Sequence, residues 1–266
     1  MKISDAVFYH LVDFIHDNYG INLSKKRILV EGRLSSAASA AGYDDLDEYV
    51  ESVLLYDQQD AVTTMVNRLT TNHTFFMREP DHFEFMKRVF LPYIEKNVRD
   101  HDLRIWSAAC SSGAEPYSMA MVIDEYFGER KKEWDTTILA TDIDTDALRS
   151  GKRAVYTPDM LNTCPQNYVD EYFEPLPDGT YKVIDRIRDQ VVFRRFNLMD
   201  KITYKKPFDL ICCRNVMIYF DTETKDALVE RFYECTKPGG FLFVGHAENV
   251  SRSTRYNYVK PAVFRK

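Results

Sequence analysis

The sequence predicts a mostly parallel α/β domain, preceded by a small helical domain and interrupted by a small antiparallel insertion. Three observations carry this. From Leu103 onward, short apolar runs alternate with amphipathic helical stretches, the pattern of a parallel sheet covered on both faces. Before residue 97 or so, apolar residues recur at helical spacing. Between Gly151 and Gln190, Pro158, Pro165, Pro175 and Pro177 break the alternation, and Asp178-Gly179 marks a hairpin turn.

In the first part, Ile3, Val7, Leu11, Phe14 and Ile15 form one helical face that ends before Asn18-Tyr19-Gly20. Ser24 is a candidate cap for a second helix that runs to Ala41 and stops at Gly42. Asp45 or Asp47 starts a third, with Tyr49, Val50, Val53 and Leu54 on one side. Ala61 to Leu69 is a fourth, and Pro80 begins a fifth whose inward face is Phe83, Met86, Val89, Phe90 and Ile94. The expected helical domain is 1–96, followed by a polar linker, 97–103, and an α/β domain, 104–266.

In the second part, Ile105 to Cys110 reads as a buried strand, Ala108 to Gly113 as a turn of small residues, and Glu115-Pro116 as a helix start. Strand, small-residue turn and helix form the ligand-cradling unit of doubly wound folds. Thr136–Asp142, Gln190–Asn197, Phe208–Asn215 and Phe241–His246 are further strands. Asp144 and Asp221 are candidate helix caps, and Tyr256 to Arg265 supplies one or two closing strands. The insertion, with a small antiparallel element of its own, is placed at about 155–190.

Composition bounds the function. The chain has 266 residues, 45% hydrophobic and 29% charged, which is ordinary for a globular protein. A net charge of −6 argues against general nucleic-acid binding. No apolar run reaches the roughly 18–20 residues that span a bilayer, and the start lacks the plan of a signal peptide; the expectation is a cytoplasmic protein without membrane insertion. Five cysteines without a C-x-x-C pair make a disulfide framework or a zinc site a poor expectation.

The chemistry is expected at the strand ends, where ligands of open α/β sheets bind. A G-x-G-x-x-G series is absent: only Gly113 is glycine, and Glu115 stands where a pyrophosphate would want no negative charge. A carboxylate there suits a ligand carrying an ammonium or another cation. Asp142, 29 residues after Gly113, is positioned to accept hydrogen bonds from the two hydroxyls of a ribose. Taken singly, Asp142 is as well a helix cap and Glu115 a first-turn acid meeting the helix dipole. Jointly they favour an adenosine carrying an amino-acid end. Arg78 stands beside aromatics in the loop Asn72–Glu79, where it either clamps a carboxylate or forms a surface salt bridge. His73 and His246 are weak candidates for a general base. Lys25, Lys26, Arg27 and Arg33 make the second helix basic, either as a solvated face or as a docking surface for an acidic helix.

Together these residues resemble the CheR-type chemoreceptor glutamate methyltransferases of bacterial chemotaxis. The similarity runs through Leu69–Thr74 with Arg78-Glu79, Trp106–Ser118, Thr141–Asp144, Phe196–Leu198, Cys213–Phe220 and Gly245–Asn249. It implies a Rossmann-like methyltransferase domain with a mostly parallel seven-stranded sheet. It also implies S-adenosylmethionine as methyl donor and acidic receptor helices as substrate. In that reading Glu115 holds the methionine end, Asp142 the ribose, and Asn197 and Leu198 the adenine. Asn72, Thr74 and Arg78 close over the cofactor, with Ala108 in the first turn and Arg214, Asn215 and Tyr219 beside it. Arg78 and Tyr219 aim the acceptor glutamate, and Arg27 and Arg33 face the receptor. Two positions depart from the family pattern: Ala114 replaces a glutamate and Met77 a phenylalanine. The chain is expected to act as a monomer without a receptor-tail tether. The competing reading is a signalling module that binds the cofactor or its product and acts by contact alone.

Overall fold

The computed structural model describes residues 1–55 and 59–266. Helix α1 (Asp5–Tyr19) is capped by Ser4, whose hydroxyl accepts from the Val7 N–H at 3.4 Å, and it ends on Gly20 at φ 70°. Helix α2 (Arg27–Ala40) starts later than Ser24 predicts. The Ser24 hydroxyl donates instead to Asn22 Oδ1 at 2.7 Å, which closes a turn of its own. In α3 (Leu46–Leu55) Asp45 accepts from the Glu48 N–H at 3.0 Å, and α4 (Gln59–Leu69) completes the lobe. Leu11, Ile15, Val30, Leu34, Leu46, Val50 and Met65 form its buried core.

The fifth helix is interrupted. It runs as α5 (Pro80–Phe85), a π-helical turn (Met86–Phe90) and α6 (Leu91–Asn97). Pro92 explains the wide turn: it offers no N–H and its ring crowds the carbonyl of residue 88, so the backbone opens just ahead of it. Val89, expected inward, is 44% exposed, while Phe83, Met86, Phe90 and Ile94 are buried as expected. Phe85 and Phe90 pack edge-on against Phe241, each 5.7 Å between ring centres. This helix therefore belongs to the α/β core. The lobe with its own core ends near Leu69, and the expected division at 96 follows helix content rather than packing.

The rest follows as β1 (Ile105–Ala108), α7 (Ala114–Phe127), β2 (Ile138–Asp142), α8 (Thr145–Arg153), β3 (Val155–Tyr156), α9 (Gln166–Tyr172), β4 (Phe173–Pro175), β5 (Tyr181–Val183), α10 (Asp185–Arg188), β6 (Val191–Arg195), β7 (Phe208–Cys213), α11 (Thr222–Cys235), β8 (Thr236–Val244), β9 (Asn257–Lys260) and β10 (Val263–Arg265). Seven strands make one sheet in the order β6-β2-β1-β7-β8-β10-β9, with β10 antiparallel to both its neighbours and the other pairs parallel. The period of two sorts side chains to its faces. Ile105, Leu210, Cys212, Phe241 and Phe243 join the core with α5 to α7, whereas Trp106, Ala108, Ile211, Cys213, Leu242 and Val244 join Leu228 and Phe232 of α11. Asp144 and Asp221 cap α8 and α11 as the sequence predicts.

The insertion forms a separate three-stranded antiparallel sheet, β3-β5-β4. Its hairpin turns at Asp178-Gly179, where Gly179 takes φ 83° and Asp178 Oδ1 accepts from the Thr180 N–H at 3.0 Å. All five cysteines are free thiols. Among the described residues no helix is long and apolar enough to cross a membrane.

Candidate active site

In this sheet the strand order reverses between β1 and β7, and a cavity of about 380 Å³ opens there at the carboxyl ends of the strands. One wall is the sheet: Ser111, Glu115, Asp142, Asn197, Leu198, Arg214, Asn215 and Tyr219 line it. The other comes from the helical lobe and the loop that leaves it, including Leu23, Arg33, Asn72, Thr74 and Arg78. Sequence-distant residues thus converge as expected, with one exception. Ala108 is fully buried and belongs to the far face of β1; its neighbour Ala109 lines the cavity instead.

Left-handed residues other than glycine help shape the sheet wall. Ala109 (φ 66°), Ser111 (φ 51°) and Asn215 (φ 61°) all adopt the left-handed region, as do Met77 and Glu79 on the opposite loop. Such conformations typically cost about 1–3 kcal/mol each and persist only when the surroundings over-determine them. Here the surroundings are carboxylates. Asp142 Oδ2 accepts from the Ser111 N–H at 2.7 Å, and its Oδ1 from the Asp144 N–H at 2.9 Å. Glu248 Oε2 accepts from the N–H groups of Asn215 at 3.0 Å and Gly245 at 2.5 Å, which fixes the loop carrying Asn215 and Tyr219.

Charge is concentrated at the mouth of β7. The Arg214 guanidinium is buried between two carboxylates, Glu115 Oε2 at 2.9 Å and Glu79 Oε2 at 3.1 Å, and also donates to the Arg78 carbonyl. Burial opposes its charge, but Glu115 and Glu79 hold its pKa above the ordinary value. Glu115 Oε1 accepts from Ser107 Oγ at 2.7 Å. Burial pushes Asp142 up to about 6, against the pull of the Asp144 and Ser111 N–H groups. Arg78 forms no carboxylate pair among the described residues; it donates to the His73 carbonyl at 2.8 Å and stands 5.6 Å from the Phe75 ring centre.

The helical wall is tied down by a few polar contacts. Asp144 Oδ2 accepts from Thr70 Oγ1 at 2.9 Å and Asn72 Nδ2 at 2.5 Å, while its Oδ1 caps α8. Asn197 Nδ2 donates to the Asn18 carbonyl at 2.7 Å, and the Asn22 N–H donates to the Tyr219 carbonyl at 2.9 Å. The two arginines expected to face a partner are engaged within the chain. Arg33 donates to the carbonyls of Leu69 and Thr70 and to Thr71 Oγ1. Arg27 binds the Ile3 carbonyl and Asp5 and covers the Phe8 ring at 4.3 Å.

Comparisons with known proteins place the chain in a family. Residues 72–263 match the CheR methyltransferase SAM-binding domain, and residues 6–70 match the CheR methyltransferase all-alpha domain. The chain belongs to the CheR methyltransferase family. A chemotaxis protein methyltransferase of Borreliella burgdorferi is 36% identical over 100% of this chain and 96% of its own length. Those of Salmonella typhimurium and Escherichia coli are 36% and 34% identical, each over 96% of this chain and 88% of theirs.

CheR proteins are S-adenosylmethionine-dependent, and the residues present fit that cofactor. Each oxygen of Glu115 and of Asp142 carries one hydrogen bond, so both carboxylates keep acceptor capacity for an ammonium and a diol respectively. Sequence reasoning missed Ser107, Glu79 and Glu248, which stand behind the lining and hold Glu115, Arg214 and Asn215. Glu79 and Glu248 lie inside the motifs that carried the resemblance, and that membership is the available signal.

Proposed function

We propose that this CheR protein transfers a methyl group from S-adenosylmethionine to glutamate side chains on the acidic cytoplasmic helices of chemoreceptors. The observation that carries this is Arg78, a cation at the cavity wall with no carboxylate partner among the described residues. It suits a carboxylate acceptor. When bound, the cofactor supplies an electrophilic methyl on its sulfonium. Glu115 receives the ammonium of the methionine end, Asp142 the ribose hydroxyls, and Phe196 to Leu198 flank the base. A glutamate with a pKa of about 4.3 is already ionised at neutral pH, so no side chain need take a proton from it. Arg78 and Tyr219 orient the acceptor, and orientation can lower a barrier by roughly 7–11 kcal/mol in well-aligned cases.

Because Arg27 and Arg33 bind their own chain, the docking role falls to exposed Lys25 and Lys26, just before α2, beside Ile28 at 86% exposure. An acidic amphipathic helix complements that combination of charge and apolar surface. The test is incubation with methyl-labelled cofactor and receptor cytoplasmic fragments. Base-labile release of labelled methanol supports the ester. Cofactor binding without transfer would favour a signalling module acting by contact alone.

A further inference from the structure

Glu79 stands at a junction the established reaction does not explain. It sits in the left-handed region at φ 58° and is half-buried. Its Oε1 accepts from Asn215 Nδ2 at 3.0 Å and the His246 N–H at 3.2 Å. Its Oε2 accepts from Arg214 Nη2 at 3.1 Å and Nε at 3.4 Å. Four donors occupy its four lone-pair directions, so the nearby rings of His82 and His246 do not turn it into a cation site. Burial pushes the Glu79 carboxyl up, but the Asn215 amide, then the charge of Arg214 and the His246 N–H, outweigh it and hold the carboxyl below the usual range. It is therefore a fixed negative charge, one residue from Arg78 and shared through Arg214 with Glu115.

The charge at this end of the cavity can be counted. Arg78 and Arg214 bring two positive charges, Glu115 and Glu79 two negative ones. Without Glu79 the wall is net positive. S-adenosylmethionine carries a net positive charge through its sulfonium, whereas its demethylated product, the thioether, is neutral. Repulsion from a net positive wall thus acts on the donor and leaves the product untouched.

We propose that Glu79 is a specificity-determining positioning residue: with Glu115, its charge balances Arg214 and Arg78 at the methyl-donor end, and so sets the affinity ratio of sulfonium donor to thioether product. The proposal rests on Glu115 holding the methionine end. At partly buried separations of several ångströms, one unit charge is worth about tenfold or more in affinity.

Calorimetric titration of the full chain with donor and with product provides the test, with no turnover required. In Glu79→Gln the donor dissociation constant rises about tenfold and the product constant changes by less than about threefold. Glu79→Asp, which keeps the charge, retains the native ratio. Arg78→Gln, a substitution at a loop side chain, moves the ratio the opposite way and serves if Glu79→Gln does not fold. Equal weakening of both ligands in Glu79→Gln, or an unmoved ratio in Arg78→Gln, would overturn the proposal. Glu115→Gln separates the two assignments: it weakens donor and product alike if Glu115 binds their shared ammonium, and an unchanged affinity for both would remove that placement instead.

Discussion

The two walls of the cavity are built on different principles. On the sheet side every functional carboxylate is anchored by backbone N–H groups or by a buried guanidinium, and the elements behind it share a fully buried core. On the helical side the loop from Thr70 to Arg78 is held in two ways: its first half by hydrogen bonds to Asp144, Arg33 and Ser111, its second half by Phe76 and Met77, which are buried in the α/β core. In the proposed reading the sheet wall is a preorganised receptor for the cofactor, and the part of the cover from Thr70 to Thr74 is positioned mainly by polar contacts. Preorganised groups act without reorganisation at the moment of reaction, whereas a cover must move to admit its ligand.

The largest effect should come from attacking the sheet wall. Arg214→Ala removes the buried partner of two half-buried carboxylates, and breaking such a pairing is expected to destabilise the fold by about 3–5 kcal/mol, read in a denaturant melt. A melt within 1 kcal/mol of native, roughly the scale of a surface pair, would show that water relieves the site. Next comes Arg78→Ala on the cover. We expect methyl transfer to fall about a hundredfold with the melting temperature unchanged, because this arginine orients rather than packs. An unchanged rate would remove Arg78 from the reaction.

Acid separates the walls again. Because the Asp142 pKa is raised to about 6 by burial, its protonated form is favoured in the unliganded fold as pH falls. Ribose binding uses the ionised form, so donor affinity should be flat down to pH 7 and then weaken, approaching tenfold per unit below about pH 6. Calorimetry at pH 7.5 and pH 5 checks this, and equal affinities would take Asp142 out of the ribose site. The smallest effect belongs to Arg33→Ala, which frees the carbonyls of Leu69 and Thr70. A loss of about 1–2 kcal/mol in local stability, seen as faster amide exchange over residues 69–75, is expected.

Much of this was legible because strand ends and caps have local signatures. Asp144 and Asp221 sit where a helix begins, and Asp178-Gly179 could only turn one way. What escaped depends on distant partners. The apolar face of Phe83 to Ile94 announces a buried helix, yet nothing local says that it packs on Phe241 rather than on the helical lobe. Ala108 was misplaced because one step along a strand exchanges the cavity for the core. Arg27 and Arg33 look like free cations on a helix; their acceptors are backbone carbonyls that pattern reading does not register. In the first turn Gly113 marks one left-handed residue, but Ala109 and Ser111 take the same region without glycine, so composition reveals only part of the turn.

Asp144 closes the account in a different currency, that of populations. One oxygen caps α8 and the other grips Thr70 and Asn72. Lifting the Thr70–Asn72 end of the loop therefore breaks at least two hydrogen bonds to an ion, together worth about 3 kcal/mol or more. That places the open form below about one molecule in a hundred at rest. The same carboxylate that starts a helix would then set how often the cavity stands open, and with it the pace at which cofactor can enter and product can leave.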